Sequence, residues 1–254
     1  MKKIPIFVIN LEKSHERREF IIEQFKSFPE VEYQFFQAIN GKENPDSPLF
    51  NLYNEHERFK RKGNPMTLSQ LGCWASHYLL WKKCLDLGEP IIILEDDANI
   101  QTDFFDIYKY LGSDHNIEFC WLTPPSPSIR KNIGEVMFDI NSKYQVLRFF
   151  SGWGNATGYF LTPSAAVKFL NQSKEWIYNV DITMDRYWEN RVDYLAVVPA
   201  CVRPDSNMGS NIDMKKPKRS LATKLMREYY KLKDNIYKFR YDMNLKNSRV
   251  KYEK

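Results

Sequence analysis

The chain has 254 residues and 43% hydrophobic content, enough for one large domain or for one domain with an appendage. Its net charge of +5 is uneven: residues 215–254 carry 14 Lys and Arg against 4 Asp and Glu, a net +10, which leaves −5 for residues 1–214. No stretch approaches the ~18 apolar residues of a membrane span, and the apolar run near the N-terminus is too short for a signal-peptide core.

Residues 4–9 are a good first strand, ended by Asn10-Leu11, and Ser14 is placed to cap a helix running to about residue 28. Arg17 and Arg18 fall in that helix's first turn, where the helix dipole prefers anions, so they suit an arriving phosphate as well as a solvated surface. Residues 31–38 alternate enough for a second strand, and 40–65, rich in Asn, Pro, Lys and Glu, read as a long loop or lid. Thr67-Leu68-Ser69-Gln70 is a capping box opening a helix to about Leu87, with Gly88 placed to end it. Ser76 and His77 sit within its apolar stripe.

Next comes Ile91-Ile92-Ile93-Leu94-Glu95-Asp96-Asp97. The apolar run reads as a strand buried on both faces, and three adjacent carboxylates leave it together. They repel one another unless a positive charge sits among them, and a divalent cation with oxygen ligands is the usual remedy. An extended backbone puts Glu95 and Asp97 on one side and Asp96 on the other. That spacing suits Mg²⁺ or Mn²⁺, with diphosphate oxygens completing the shell.

A helix over 102–111 follows, then strands over 118–122 and 144–149. The segment from Gly152 to Tyr159 is a small-residue turn with two aromatics, Trp153 and Tyr159, which either stack on a sugar or close the turn over the core. Thr162-Pro163 starts a helix, 181–191 form another, and 194–198 the last strand. Strands alternating with helices predict an α/β domain with a mostly parallel sheet over 1–214. In 215–254, Leu221, Leu225, Tyr229, Leu232, Ile236 and Met243 recur at helical spacing between Lys and Arg: a basic amphipathic helix, or two, that fits an anionic membrane surface better than the body of the domain. Charges flanking an apolar stripe suit lipid rather than nucleic acid. Cys73, Cys84, Cys120 and Cys201 lack zinc-type pairing and read as the reduced thiols of a cytosolic protein.

Six blocks in order over roughly residues 4–212 resemble glycosyltransferase family 25, the bacterial lipooligosaccharide galactosyl- and glucosyltransferases. They are Ile9-Asn10-Leu11 with Glu16-Arg17-Arg18; Gln70-Leu71-Gly72-Cys73 with Ser76-His77 and Trp81; Leu94-Glu95-Asp96-Asp97; Trp153-Gly154 with Gly158-Tyr159; Val180-Asp181; and Asn207 through Ser210. The resemblance implies a GT-A-type nucleotide-sugar transferase with Glu95 and Asp97 holding Mn²⁺ or Mg²⁺. It also implies Asn10 and Leu11 by the nucleotide, Arg17 or Arg18 near the phosphates, and Gln70, Ser76, His77, Asp96, Trp153 and Gly154 on the donor side. An inverting reaction needs a base for the acceptor hydroxyl. Asp181 is the candidate and Asp185, one helical turn on, the runner-up; a plain helix cap is the structural alternative for Asp181. GT-A enzymes often add a late His ligand, but no His follows His115 here, which leaves Asp205, Asn207, Asn211, Asp213 or water.

The expected activity is metal-dependent hexose transfer from UDP-galactose or UDP-glucose to lipooligosaccharide, by a cytoplasmic protein peripheral on the inner membrane through residues 215–254, with no nucleic-acid partner. A metal-dependent phosphohydrolase would want a nucleophilic Asp or a further ligand cluster, which the sequence does not show. A non-catalytic carbohydrate- or membrane-binding protein would not need Glu95, Asp97 and Asp181.

Overall fold

The computed structural model describes residues 2–129, 134–205, 208 and 220–250. In chain order the elements are β1 (Ile6–Asn10), α1 (His15–Phe25), β2 (Tyr33–Gln37), α2 (Glu55–Lys62), α3 (Leu68–Leu87), β3 (Ile91–Glu95), β4 (Ala98–Ile100), α4 (Phe104–Leu111) and β5 (Phe119–Trp121). Then follow β6 (Gly134–Asp139), β7 (Gln145–Phe149), β8 (Gly158–Leu161), α5 (Pro163–Gln172), α6 (Val180–Met184), α7 (Tyr187–Asn190), β9 (Leu195–Val198), β10 (Val202–Pro204) and α8 (Leu221–Val250).

Eight strands form one sheet in the order β2-β1-β3-β8-β5-β9-β7-β6. β1 runs parallel to β2 and β3, and β5 parallel to β9; β8 and β7 are antiparallel to their neighbours, so six of the eight strands point one way. The remaining two, β4 and β10, make a small antiparallel ribbon. The apolar runs are buried on both faces, as their composition predicts. Phe7, Ile9, Ile91 and Ile93 join the core under α3 and α5, and Ile6, Val8, Ile92 and Leu94 the core under α1 and α4. Each such side chain contributes roughly 1.5–3 kcal/mol on burial, and this two-sided sandwich makes the strand ends a rigid platform.

The capping box that opens α3 is present in full, and Gly88 closes the helix in the left-handed conformation. Between 40 and 65, where the sequence reads as loop, a 3-10 turn at Pro48–Leu52 precedes α2. The cues for α2 were present: Asn54 caps it by accepting from Glu57 N–H, acids open it and bases end it, but its eight residues are too polar to show an apolar period. The helix expected over 181–191 is two short helices, because the chain turns at Asp185-Arg186, where both side chains are engaged elsewhere.

The basic segment is one helix from Leu221, and it docks on the body through its acids. Arg186, whose side chain is only 5% exposed, grips Asp234 with both terminal nitrogens at 2.6 and 2.7 Å. Tyr187 donates to Asp242 at 2.8 Å, and α2 packs alongside α8. The predicted apolar stripe faces outward instead: Leu221, Leu225, Tyr229, Leu232, Ile236 and Met243 are 42–78% exposed. The boundary expected at 214/215 lies outside the described residues.

Removing Asp234 leaves the buried Arg186 with Glu189 as its remaining carboxylate partner. Asp234→Ala is expected to lower stability by about 2 kcal/mol in urea unfolding and to open α8 to protease; an unchanged midpoint with α8 still protected would contradict this docking.

Candidate active site

Parallel pairing sets Ile9 beside Glu95, so Asn10 and Asp96 leave the sheet next to one another. At Asp96 the strand ends in a turn, and the three carboxylates separate. Asp96, buried, accepts from Asn10 Nδ2 at 2.9 Å on one oxygen and from Arg17 Nη1 at 2.6 Å on the other. Glu95 reaches the opposite way, with Oε1 3.2 Å from His77 Nε2 on α3. Asp97 Oδ1 is buried without a hydrogen-bond partner, and burial, then the neighbouring Glu95 charge, hold its carboxyl well above the usual range, against the pull of Arg17. Asn10 Oδ1 is likewise buried and unpaired.

Arg17 and the three carboxylates floor a cleft of about 340 Å³. One wall is Leu11 with the segment 38–42; the other is the α3 face carrying Ser69, Cys73, Ser76 and His77. Two glycines let the walls meet. A Cβ at Gly72 would stand 2.3 Å from Ile39 O, and one at Gly41 1.9 Å from Leu68 O. Ser76 finishes the joint, accepting from Ile39 N–H at 2.9 Å and donating to Gly72 O at 2.8 Å.

Asp181 is the second residue of α6, whose cap is Asn179, so the helix-cap alternative does not hold. Burial is the main cause that raises its carboxyl; Glu95 adds to the rise, while the Ile182 amide and Lys62 pull it down. Asp181 therefore stands within electrostatic reach of Glu95 and Cys73, though it is not among the residues that line the cleft. Its other neighbour, Lys62 at the end of α2, is drawn down to about 8 by burial and by Arg58, Arg186 and Arg227. Lys62 was not singled out in the sequence, because it sits in the polar segment that hid α2; Cys73 was, but only as a member of a motif block and as a reduced thiol. Cys73 Sγ, a His77 ring nitrogen and a Glu95 oxygen lie within 4.8 Å of one another, the one mixed donor group of this kind among the described residues. Burial, then Glu95, Asp181 and Asp97, keep the Cys73 thiol protonated well above its ordinary range, which makes it a poor ligand.

The profile of glycosyltransferase family 25, described as an LPS biosynthesis protein, matches residues 3–184, a span that holds the whole cleft and Asp181. The chain belongs to glycosyltransferase family 25. Among its relatives are a putative glycosyltransferase, R655, of Acanthamoeba polyphaga mimivirus (32% identical over 41% of this chain and 32% of the relative) and human procollagen galactosyltransferase 2 (31%, over 39% and 16%). A third is the lipooligosaccharide biosynthesis protein lic2B of Haemophilus influenzae, 30% identical over 44% of this chain and 39% of that protein. The aligned part thus spans well under half of each of these relatives.

Of the residues that the family resemblance singled out, Leu11, Arg17, Ser76, His77, Glu95, Asp96 and Asp97 line the cleft. Asn10 stands behind it on Asp96. The others stand apart. Arg18 lies over the Phe35 ring at 3.9 Å, and Gln70 is spent in the capping box. Trp153 is 2% exposed among core aromatics, its indole N–H on Thr123 O, and Gly154 is tied to Asp185. Tyr159 is wholly buried too, so the core-closing alternative for these aromatics is the one observed. Asp205 donates its amide to Asp97 O at 2.8 Å. Asn207, Ser210, Asn211 and Asp213 lie outside the described residues.

Asp185, the runner-up base, has a different occupation. It accepts from Gly154 N–H at 2.9 Å and from the Tyr194 hydroxyl, and a Cβ on Gly152 would press on its carboxylate at 2.9 Å. Burial, opposed mainly by Tyr194, pushes it up from 3.8 to about 7. The unfolded chain releases this proton near pH 4 and the folded chain near 7, so stability falls as pH rises across that window, by an amount on the order of 4 kcal/mol. Asp185→Asn keeps the acceptor oxygen and abolishes the fall. Urea unfolding at pH 5 and pH 8 is expected to show the variant's advantage growing with pH; a pH-independent difference would contradict the buried, protonated carboxyl.

Proposed function

We propose that the protein is an inverting, metal-dependent hexosyltransferase that moves galactose or glucose from a UDP-sugar to a lipooligosaccharide acceptor. The observation that carries this reading is the divided acidic turn in a family 25 chain: one carboxylate neutralised by Arg17 and Asn10, two left facing a cleft. Glu95 and Asp97 would hold Mn²⁺ or Mg²⁺, and the site fits such an ion. The donors are hard oxygens, and the buried, unpaired Asp97 Oδ1 beside a second carboxylate is a group that a cation satisfies. A bound divalent ion would supply charge stabilisation for the departing diphosphate.

The chain's own residues account for the rest. Arg17, at the cleft and in the first turn of α1, is suited to hold Asp96 and to lend positive charge to a phosphate. Leu11 and the 38–42 wall offer a partly apolar slot for the nucleotide, and Asn10, Ser76 and His77 brace it. Asp181 would act as base: as the acceptor oxygen bonds to the anomeric carbon, its proton passes to Asp181 and the bond to UDP breaks. Burial that raises a carboxyl makes it a better proton acceptor near neutral pH. Asp185 is a poorer choice, because the Gly154 turn and Tyr194 already occupy it.

The acceptor class rests on the family description and on lic2B. The outward stripe of α8 adds a route to it. Exposed apolar side chains flanked by lysines match an anionic membrane surface, where a lipid-linked acceptor would lie. The association proposed is peripheral, on the cytoplasmic side; no helix among the described residues is long and apolar enough to cross a membrane.

Incubation with Mn²⁺ and a UDP-hexose is expected to release UDP, faster with lipooligosaccharide and not at all in EDTA; no release or donor binding with any UDP-sugar sinks the proposal. Transfer to a collagen peptide but not to lipooligosaccharide would replace the acceptor. Asp181→Asn should bind donor normally and lose transfer by about 10²–10⁴-fold, and a variant that still transfers at full rate excludes Asp181 as base. Leu225→Glu with Leu232→Glu, at positions 73% and 60% exposed, should leave turnover of soluble acceptor intact and weaken flotation with anionic vesicles; undiminished flotation would give the stripe another use.

A further inference from the structure

His77 is wholly buried, yet both of its ring nitrogens have partners, and the identity of those partners fixes where its proton is. The chain of contacts starts one helical turn away. Trp81 Nε1, which can only donate, points at the Tyr159 hydroxyl oxygen at 2.9 Å. That hydroxyl lies 2.9 Å from His77 Nδ1, and His77 Nε2 lies 3.2 Å from Glu95 Oε1. His77 and Trp81 share a face of α3, and Tyr159 comes from β8, where it pairs with Ile93, two residues before Glu95.

Three arrangements of hydrogens are available, and one satisfies every group. If Nδ1 carried the only proton, the Nε2 lone pair would face a carboxylate oxygen, and the Tyr159 hydrogen would have no acceptor. In the imidazolium form Nε2 is satisfied, but the Tyr159 hydrogen is again stranded in the core. With the proton on Nε2 alone, Trp81 donates to Tyr159, Tyr159 donates to Nδ1, and Nε2 donates to Glu95. Burying an unsatisfied hydroxyl is costly, so the third arrangement holds.

We propose that His77 is a positioning residue for Glu95, locked as the Nε2–H tautomer by the Trp81–Tyr159 chain, so that it ties back one Glu95 oxygen and presents the other to the cleft. The same lock makes the Cys73–His77–Glu95 group a support for the acidic turn and not a three-ligand metal centre, because Nε2 carries the proton and the Nδ1 lone pair accepts from Tyr159. The positioning role rests on the reading of Glu95 as a metal ligand; the tautomer does not.

The test has two arms on the whole chain. In the metal-free, ¹⁵N-histidine-labelled chain, His77 is assigned by its loss in His77→Gln, and its long-range ¹H–¹⁵N pattern is expected to be that of the neutral Nε2–H form. Tyr159→Phe, which removes one hydroxyl from the chain, should mix in the Nδ1–H form. In the second arm, Mn²⁺ affinity in the presence of UDP is read from the spectrum of free Mn²⁺. Tyr159→Phe and His77→Leu should bind about 10-fold or more weakly, whereas His77→Gln, whose amide can still donate to Glu95, should stay within a few-fold of wild type. Circular dichroism confirms that each variant is folded. An Nδ1–H or imidazolium pattern in the wild type overturns the lock. Equal Mn²⁺ affinity across folded variants overturns the positioning role. Failure of the wild type to bind Mn²⁺, with the Nε2–H pattern intact, is the failure of the metal reading and overturns the positioning role with it.

Discussion

Like-charge repulsion at the end of β3 is the constraint around which this protein is arranged. A strand buried on both faces ends in three successive carboxylates, and the fold answers each of them differently. Asp96 is compensated by Arg17 and Asn10, Glu95 is tied to His77, and Asp97 is left with a buried oxygen that no described residue satisfies. Coulomb repulsion between charges this close amounts to about 1 kcal/mol at 4 Å in water and several times more in a partly desolvated cleft, so the remaining pair carries a repulsion that a cation would relieve.

Much of the neighbouring structure serves that turn. Parallel pairing of β1 with β3 brings Asn10 level with Asp96, and α1 follows at once and delivers Arg17. From the other side α3 supplies His77 and, through its close glycine contact with the 38–42 segment, fixes the width of the cleft. α6 presents Asp181 where Glu95 influences it. α8, clamped by Asp234 and Asp242, covers the side of the body next to α2 and α7 and leaves an apolar stripe outward. The acidic turn, Asp181 and the outward stripe of α8 are thereby joined through one sheet and the helices on it.

The sequence was most legible where one physical signal dominates. Unbroken apolar runs marked β1 and β3, a capping box and a terminal glycine bounded α3, and ordered motif blocks pointed to the family. It was least legible where structure depends on partners distant in sequence. Nothing local says that Trp153 and Tyr159 pack inward, since an aromatic in a small-residue turn suits a sugar or a core equally. That Asp185 anchors the Gly154 turn depends on Tyr194, nine residues on and just before β9. The tail's net +10 concealed the fact that its few acids make the contact with the body, where a buried arginine selects them. The helix α2 escaped notice because caps and end charges, not apolar spacing, announce it.

The central claim is that the acidic turn binds a divalent cation and a nucleoside diphosphate together. Calorimetric titration of UDP with and without Mn²⁺, on the wild type and on the Glu95→Gln, Asp97→Asn double variant, tests it most directly. The account predicts that Mn²⁺ tightens UDP binding by at least about tenfold in the wild type and has no effect in the double variant. Equal UDP affinity with and without Mn²⁺ in the wild type would contradict it.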